Sequence, residues 1–276
     1  MPSIHVNVPS AISAFDYGLN LIGAAIGRYA SLRLDVQPSG FEGSTAALRG
    51  ARAVFQAAGT APSGLRLTSE YDAPPTAAAA PTLAVAGAAA ANVLIGTPYT
   101  REEVFEALVE AGFKPHLAAA ALFGGFQVAV GARTTPFDAP IDELGVLRVA
   151  GANAVPIPSA REAAGAALSI TLGLAQGSIP PPPPVTADPP GWYAALLDCA
   201  ATHKLIHLSP SGTAAIALDG EHLTGKLERI AEAYRQQTRQ TLEVAVYSIN
   251  RQGVSISEYG RFEHAKPIPY RGGDDD

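Results

Sequence analysis

The apolar positions change period several times along the chain, and each change marks an expected element. "SIHVNVPSA" alternates apolar and polar residues, the period of a half-buried strand, and Pro9 is expected to stop it. "YASLRLDVQPSG" alternates again and predicts a strand over Tyr29 to Val36, ended by Pro38 and Gly40. "STAALRGARAVFQAAGTAP" then shifts to a helical period, with a Ser/Thr start and Gly59 at its end. "SGLRLTSEYDAPP" carries a third strand on Leu65, Leu67 and Ser69. The Ala-rich stretch from about Pro81 to Ile95 predicts a helix whose small residues permit close packing. "TPYTREEVFEALVEAG" has Thr100 as N-cap, Glu103 in the capping-box position and Gly112 at its end. "LAAAALFGGFQVAVGA" runs from a helix through Gly124 and Gly125 into a strand, Phe126 to Val130.

The second half begins near Leu147 with the strand "LRVAGANAVPIP", followed by a helix over "SAREAAGAALSITLGLAQG" capped by Ser159. "SIPPPPPVTADPPG", residues 178–191, has the composition of a stiff polyproline II spacer; we read it as a linker rather than as a docking motif. A helix over "GWYAALLDCAATH", two strands around a turn in "KLIHLSPSGTAAIALDG" and a helix over "TGKLERIAEAYRQQTRQ" follow. "LEVAVYSINRQGVSISEYG" reads as a closing strand hairpin and "RGGDDD" as a solvated tail. Strands and helices mix without a βαβ rhythm, which favours an α+β class over a doubly wound sheet. There is no internal repeat.

Composition narrows the function. The chain has 276 residues, 47% hydrophobic and 16% charged, enough for a full core and unlike a disordered protein. A net charge of −6 argues against nucleic acid as a partner, since that binding needs a basic surface. "MPSIHVNVPS" lacks the basic and apolar regions of a signal peptide, and no apolar run is long enough for a membrane span, so a cytoplasmic location is expected. Cys199 is the single cysteine and reads as core, which leaves no internal disulfide and no cysteine-based metal site.

Three local patterns carry little chemistry. "GEHLTGKL" fits G-x-x-x-x-G-K, but Leu227 stands where a P-loop needs a hydroxyl for Mg²⁺. His203 and His207 are four apart, yet "KLIHLS" reads as a strand, where that spacing forms no metal pair. No G-x-S-x-G elbow is present.

An ordered set of altered motifs carries more. "VPSAISAFDYG", "PPTAAAAPTLA", "EAGFKPHLAAAALFGG", "PSAREAA" and "LSPSGTAAIAL" follow one another at spacings that resemble the homoserine kinases of the GHMP small-molecule kinase superfamily along nearly the whole chain. The family's counterparts are P-A-S-S-A-N-L-G-P-G-F-D, P-x-x-x-G-L-G-S-S-A-A, E-G-H-P-D-N-V-A-P-A-L-L-G-G, S-T-A-E-A-R and L-S-G-S-G-P-T. The resemblance implies a two-lobed α+β fold. Residues 1–146 would form an N-terminal lobe with a ribosomal-protein-like sheet and helices. Residues 147–276 would form a C-terminal α/β sandwich lobe that contains the linker. It also implies that Pro9, Thr76 to Ala80 and Ser209 to Gly212 line one cleft.

The resemblance further implies roles residue by residue. The phosphate loop falls on Thr76 to Ala80, so Thr76, Thr82, Ser209, Ser211 and Gly212 are the candidate nucleotide contacts. Asp16 matches the aspartate of F-D, and Glu110 falls where the family places a carboxylate associated with Mg²⁺; these two are the catalytic candidates. Asp16, His116 and Arg161 are the candidate substrate contacts. Arg161 lies three residues before Ala164, which takes the place of the family's Arg, and so shares a helix face with it.

Every motif is depleted of the groups that the family's reaction uses. The loop has neither Gly nor Ser, and alanine is strained at the positive φ that a phosphate-binding nest requires. The N-terminal turn lacks N-L-G-P-G, H-P-D-N becomes Lys114-Pro115-His116-Leu117, and Pro210 replaces a glycine. Phosphoryl transfer is mostly positioning and charge stabilisation, so these losses predict a protein that no longer catalyses it. The leading expectation is a degenerate homoserine-kinase-like protein that binds a small metabolite or a protein partner, with a homodimer as one possible assembly. The alternatives are a working Mg-ATP-dependent kinase of homoserine or a similar small alcohol, with a site rebuilt from Thr76, Thr82, Ser211 and Lys114, and a purely structural subunit. Nucleic acid, membrane and a resident metal are not expected.

Overall fold

The computed structural model describes residues 3–14, 21–74, 79–156, 189–220 and 222–258, with isolated positions between 165 and 178 and the pair Lys266–Pro267. The helix expected from Ser159 lies largely outside these residues, as do the proline run and the acidic tail. The chain divides into two compact units. One comprises Met1–Ile12, Ala24–Thr135 and Asn250–Asp276; the other comprises Ser13–Gly23 and Pro136–Ile249.

The first unit is a sheet layer under a helix layer. Its strands are β1 (Ile4–Ser13), β2 (Ile22–Val36), β3 (Gly40–Glu42), β4 (Gly64–Tyr71), β5 (Phe126–Val130), β6 (Arg133–Phe137), β11 (Ser255–Glu258) and β12 (Lys266–Pro267). The order is β12-β11-β1-β2-β4-β3, with β5 branching off β2 and β6 pairing with β5. Antiparallel register sets Leu32 opposite Ser69 and Leu34 opposite Leu67 in β2 and β4. Alternation then splits the sheet. Ile4, Val6, Val8, Leu32, Leu34, Leu65 and Leu67 are buried in one core with the helices, while Ser31, Arg33, Arg66 and Thr68 are exposed. Each such Leu contributes about 1.5–3 kcal/mol on burial.

The helices are α1 (Thr45–Ala58), α2 (Ala79–Leu94), α3 (Arg101–Glu110) and α4 (Pro115–Phe123). Their ends follow the residues that signalled them. Ser44 caps α1 and accepts from Ala47 N, and Gly59 ends it at φ 62°. Thr100 and Glu103 form the reciprocal capping box of α3. α1 and α2 touch backbone to backbone. A Cβ on Gly50 would collide with the Ala84 carbonyl, and one on Gly87 with the Ala47 carbonyl.

The second unit has one sheet in the order β10 (Leu242–Ser248), β7 (Glu143–Val149), β9 (Ala214–Leu218), β8 (His207–Ser211), all antiparallel. Two helices, α5 (Gly191–Thr202) and α6 (Leu223–Thr238), share a core with it: Tyr193, Leu196, Leu227, Ile230 and Tyr234 pack with Leu147, Leu208, Ala215 and Ala217.

Three expectations need correction, and two strands were not expected at all. β1 does not stop at Pro9 but continues to Ser13. Its ladder with β11 ends at Asn7, so beyond that point the missing N–H of Pro9 costs no bond on that side. β2 starts seven residues before Tyr29, in "IGAAIGR", a run buried over Ile22 to Ile26 and therefore without alternation. The short strands β3 and β6 carry no periodic signal of their own. Finally, the expected closing hairpin is absent: β10 pairs with β7 and β11 with β1, in separate sheets. Among the described residues no helix is long and apolar enough to cross a membrane.

Candidate functional site

In the first unit the relevant residues gather where β1 meets α2. Thr76 lies outside the described residues, and α2 is helical from Ala79, two residues before the expected start. Thr82 is fully buried in its first turn and accepts from Ala11 N at 3.4 Å, so this hydroxyl faces β1. Beside it Tyr71 Oη donates to Ser10 Oγ at 3.0 Å, tying β4 to β1. Ser10 and Tyr71 were not singled out by the sequence; their pairing joins residues 61 apart and leaves no local signature. Pro81, near the beginning of the described part of α2, has no N–H to offer a ligand there.

The "EAGFKPHLAAAALFGG" segment folds as the end of α3, a turn and α4. Glu110 is the exposed last residue of α3, and among the described residues no hydrogen bond or ion pair ties its carboxylate. Lys114 is exposed at the N-cap of α4, with Pro115 as first helical residue. His116 follows and is fully buried. Burial, helped by the positive charge of Lys114, lowers its imidazole pKa to about 4, so it is neutral at physiological pH. Arg49 from α1 stacks 4.6 Å from the Phe113 ring centroid and donates to Ala111 O, which fixes the turn between α3 and α4.

In the second unit, "LSPSGT" is a tight hairpin. Ser211 pairs with Ala214, leaving Gly212 and Thr213 as the two-residue turn, with Gly212 at φ 62°. The Gly212 carbonyl accepts from Val155 N at 3.0 Å. Ser209 is fully buried and its Oγ has no hydrogen-bond partner among the described residues, whereas Ser211 Oγ lies 3.5 Å from Ser13 O at the end of β1. Pro210 is tolerated because β8 is an edge strand. Asp16 and Arg161 lie outside the described residues.

The patterns set aside earlier have structural roles. Lys226 of "GEHLTGKL" pairs with Asp219 at 2.5 Å; the carboxylate also accepts from Ile206 N, so the lysine joins α6 to the end of β9. His203 is the C-cap of α5 and His207 opens β8, so the two histidines share no helix face. Cys199 is buried, and its thiol pKa is raised by burial and by Asp198. Among the described residues no group of three or more His, Cys, Asp or Glu is placed to hold a metal ion.

At the level of sequence the chain matches no family model and no curated protein. Its fold does have solved counterparts. It is similar to homoserine kinase from Cytophaga hutchinsonii, with a TM-score of 0.70 and 15% identity over 92% of this chain and 97% of that one. Phosphomevalonate kinase from Streptococcus pneumoniae aligns with a TM-score of 0.65 and 10% identity, over 90% of this chain and 100% of that one. A D-glycero-D-manno-heptose 1-phosphate kinase from Bacteroides thetaiotaomicron aligns at 0.60 and 14%, over 94% and 100%. These neighbours are GHMP kinases, each covered almost end to end, so the fold of this chain is the α+β fold of the GHMP small-molecule kinases.

Proposed function

We propose that this chain is a homoserine-kinase-like GHMP protein that has lost phosphoryl transfer and acts by binding a small metabolite or a protein partner. The observation that carries this reading is the start of α2. A phosphate-binding helix start works through free N–H groups, a nearby nest of glycines and hydroxyls aimed at the ligand. In the described part of α2, Ala79–Leu94, Ala79 and Ala80 carry no hydroxyl, Pro81 has no N–H to donate, and Thr82 faces β1. The residues present do not fit the phosphates of Mg-ATP. Losing one preorganised donor costs catalysis about 3–4 kcal/mol.

The test is calorimetry with Mg-ATP. No saturable binding below about 1 mM is expected; for scale, 1 mM is about −4.1 kcal/mol. Submicromolar affinity would overturn the reading in favour of the rival, an active kinase using Mg-ATP on a small alcohol. That rival draws support from the names of the three neighbours given above, each a kinase. A thermal-shift panel of amino acids and hydroxy acids separates metabolite from protein partner, because a ligand of the native state raises Tm. A metabolite held between Asp16 and Arg161 loses its shift in both Asp16→Ala and Arg161→Ala; if no compound shifts Tm, the protein-partner form of the proposal is the one that stands.

A further inference from the structure

Beyond that reading, the end of α1 carries a feature that no motif of the chain absorbs. A groove of about 300 Å³ lies between β3 and the last turn of α1, lined by Phe41, Arg52, Phe55, Gln56, Gly59, Thr60 and Ala61. Its walls are mainly apolar, and Phe41 is 37% exposed, more than a core aromatic. The Arg52 guanidinium stands 5.6 Å from the Phe41 ring centroid, and among the described residues none of its N–H donors makes a hydrogen bond. The neighbouring Arg49, one turn earlier, is by contrast committed to Ala111 O and Phe113. Glu42 is bound to Arg66 at 2.7 Å and does not neutralise Arg52.

We propose that this groove binds a small apolar carboxylic acid, aromatic or branched, whose carboxylate takes the Arg52 fork while its hydrocarbon part lies against Phe41 and Phe55. The chemistry is complementary on both counts. A guanidinium donates two parallel bonds to a carboxylate, and its charge is unspent in this chain of net charge −6. The negative end of the α1 dipole, which would repel an anion, is blunted because Gly59 N and Thr60 N donate to the Phe55 carbonyl and Gly59 N also to that of Gln56. The volume sits at the small end of ligand pockets, which suits a compact acid rather than a nucleotide.

The probes are 3-phenylpropionate and the matching alcohol, 3-phenylpropan-1-ol, titrated into ¹⁵N-labelled full-length protein. The acid is expected to move the amide signals of Gly59 and Thr60 with a saturable Kd of about 1 mM or tighter. Arg52→Gln and the alcohol should each weaken binding about tenfold or more, the usual worth of a charge-assisted pair. Ala61→Trp, which fills the groove from an exposed position, should abolish it while leaving the spectrum folded. The proposal is overturned if these amides do not move, if Arg52→Gln binds the acid as wild type does, or if the alcohol binds as well as the acid. A Mg-ATP result of either sign leaves this test untouched.

Discussion

Asn250 Nδ2 donates to the hydroxyl of Tyr29 at 2.7 Å, joining the turn before β11 to the middle of β2 across 221 residues of chain. The same side chain accepts through Oδ1 from Gln252 N and Gly253 N, and its backbone donates to Ala25 O and accepts from Gly125 N. Gly253 lies so close to the Leu122 carbonyl that a Cβ would collide with it, and Arg101 seals the turn by donating to the Gln252 and Val254 carbonyls. These contacts hold the turn that leads into β11, which pairs with β1 and not with β10.

Asn250→Ala therefore removes three side-chain bonds and strands the buried Gly253 N–H, a loss of about 2–4 kcal/mol. Asn250→Asp keeps both acceptor bonds and should cost less than half as much. Urea unfolding of the two variants gives the comparison, and equal midpoints would refute the assigned role.

Gly87→Ala tests the contact between α1 and α2. On an open helix face the change would stabilise by about 0.8–1 kcal/mol. Here the new methyl meets the Ala47 backbone, so a net loss of about 1–3 kcal/mol is expected from overpacking. The denaturation midpoint should fall, not rise.

Tyr193 is fully buried in the core of the second unit, and its hydroxyl has no hydrogen-bond partner among the described residues. Burial pushes its pKa up, which keeps the phenol protonated. Tyr193→Phe removes an unsatisfied polar group worth about 1–3 kcal/mol and should leave stability unchanged or raise it. A clear drop in the urea midpoint would mean that the hydroxyl serves a purpose.

His116 gives the protein a pH dependence of predictable sign. Its folded pKa of about 4 lies below the ordinary value of 6.5, so the unfolded chain binds the proton first. No penalty exists above pH 6.5; it grows as pH falls from 6.5 towards 4 and then levels off. The full effect is about 3 kcal/mol from the shift. His116→Gln should flatten this part of the stability curve relative to wild type between pH 7 and 4.

How much of this was legible in advance follows the range of the forces involved. Helix ends were readable because a cap is satisfied within four residues: Ser44, Gly59, Thr100 and Glu103 stand where their local chemistry puts them. Strands with one wet face were readable from alternation, as in β4. The order of altered motifs pointed to the GHMP fold, which the solved neighbours bear out.

Other features depend on partners far along the chain and leave no periodic trace. Pro9 does not end β1, because β11, some 250 residues later, stops pairing at Asn7. Which way Thr82 faces, that His116 is enclosed, and that Lys226 answers Asp219 rather than a phosphate were decided by packing. Hydroxyl, imidazole and ammonium groups each suit a ligand or a neighbour equally well; composition names the group, and only the neighbour brought to it by the fold determines its use.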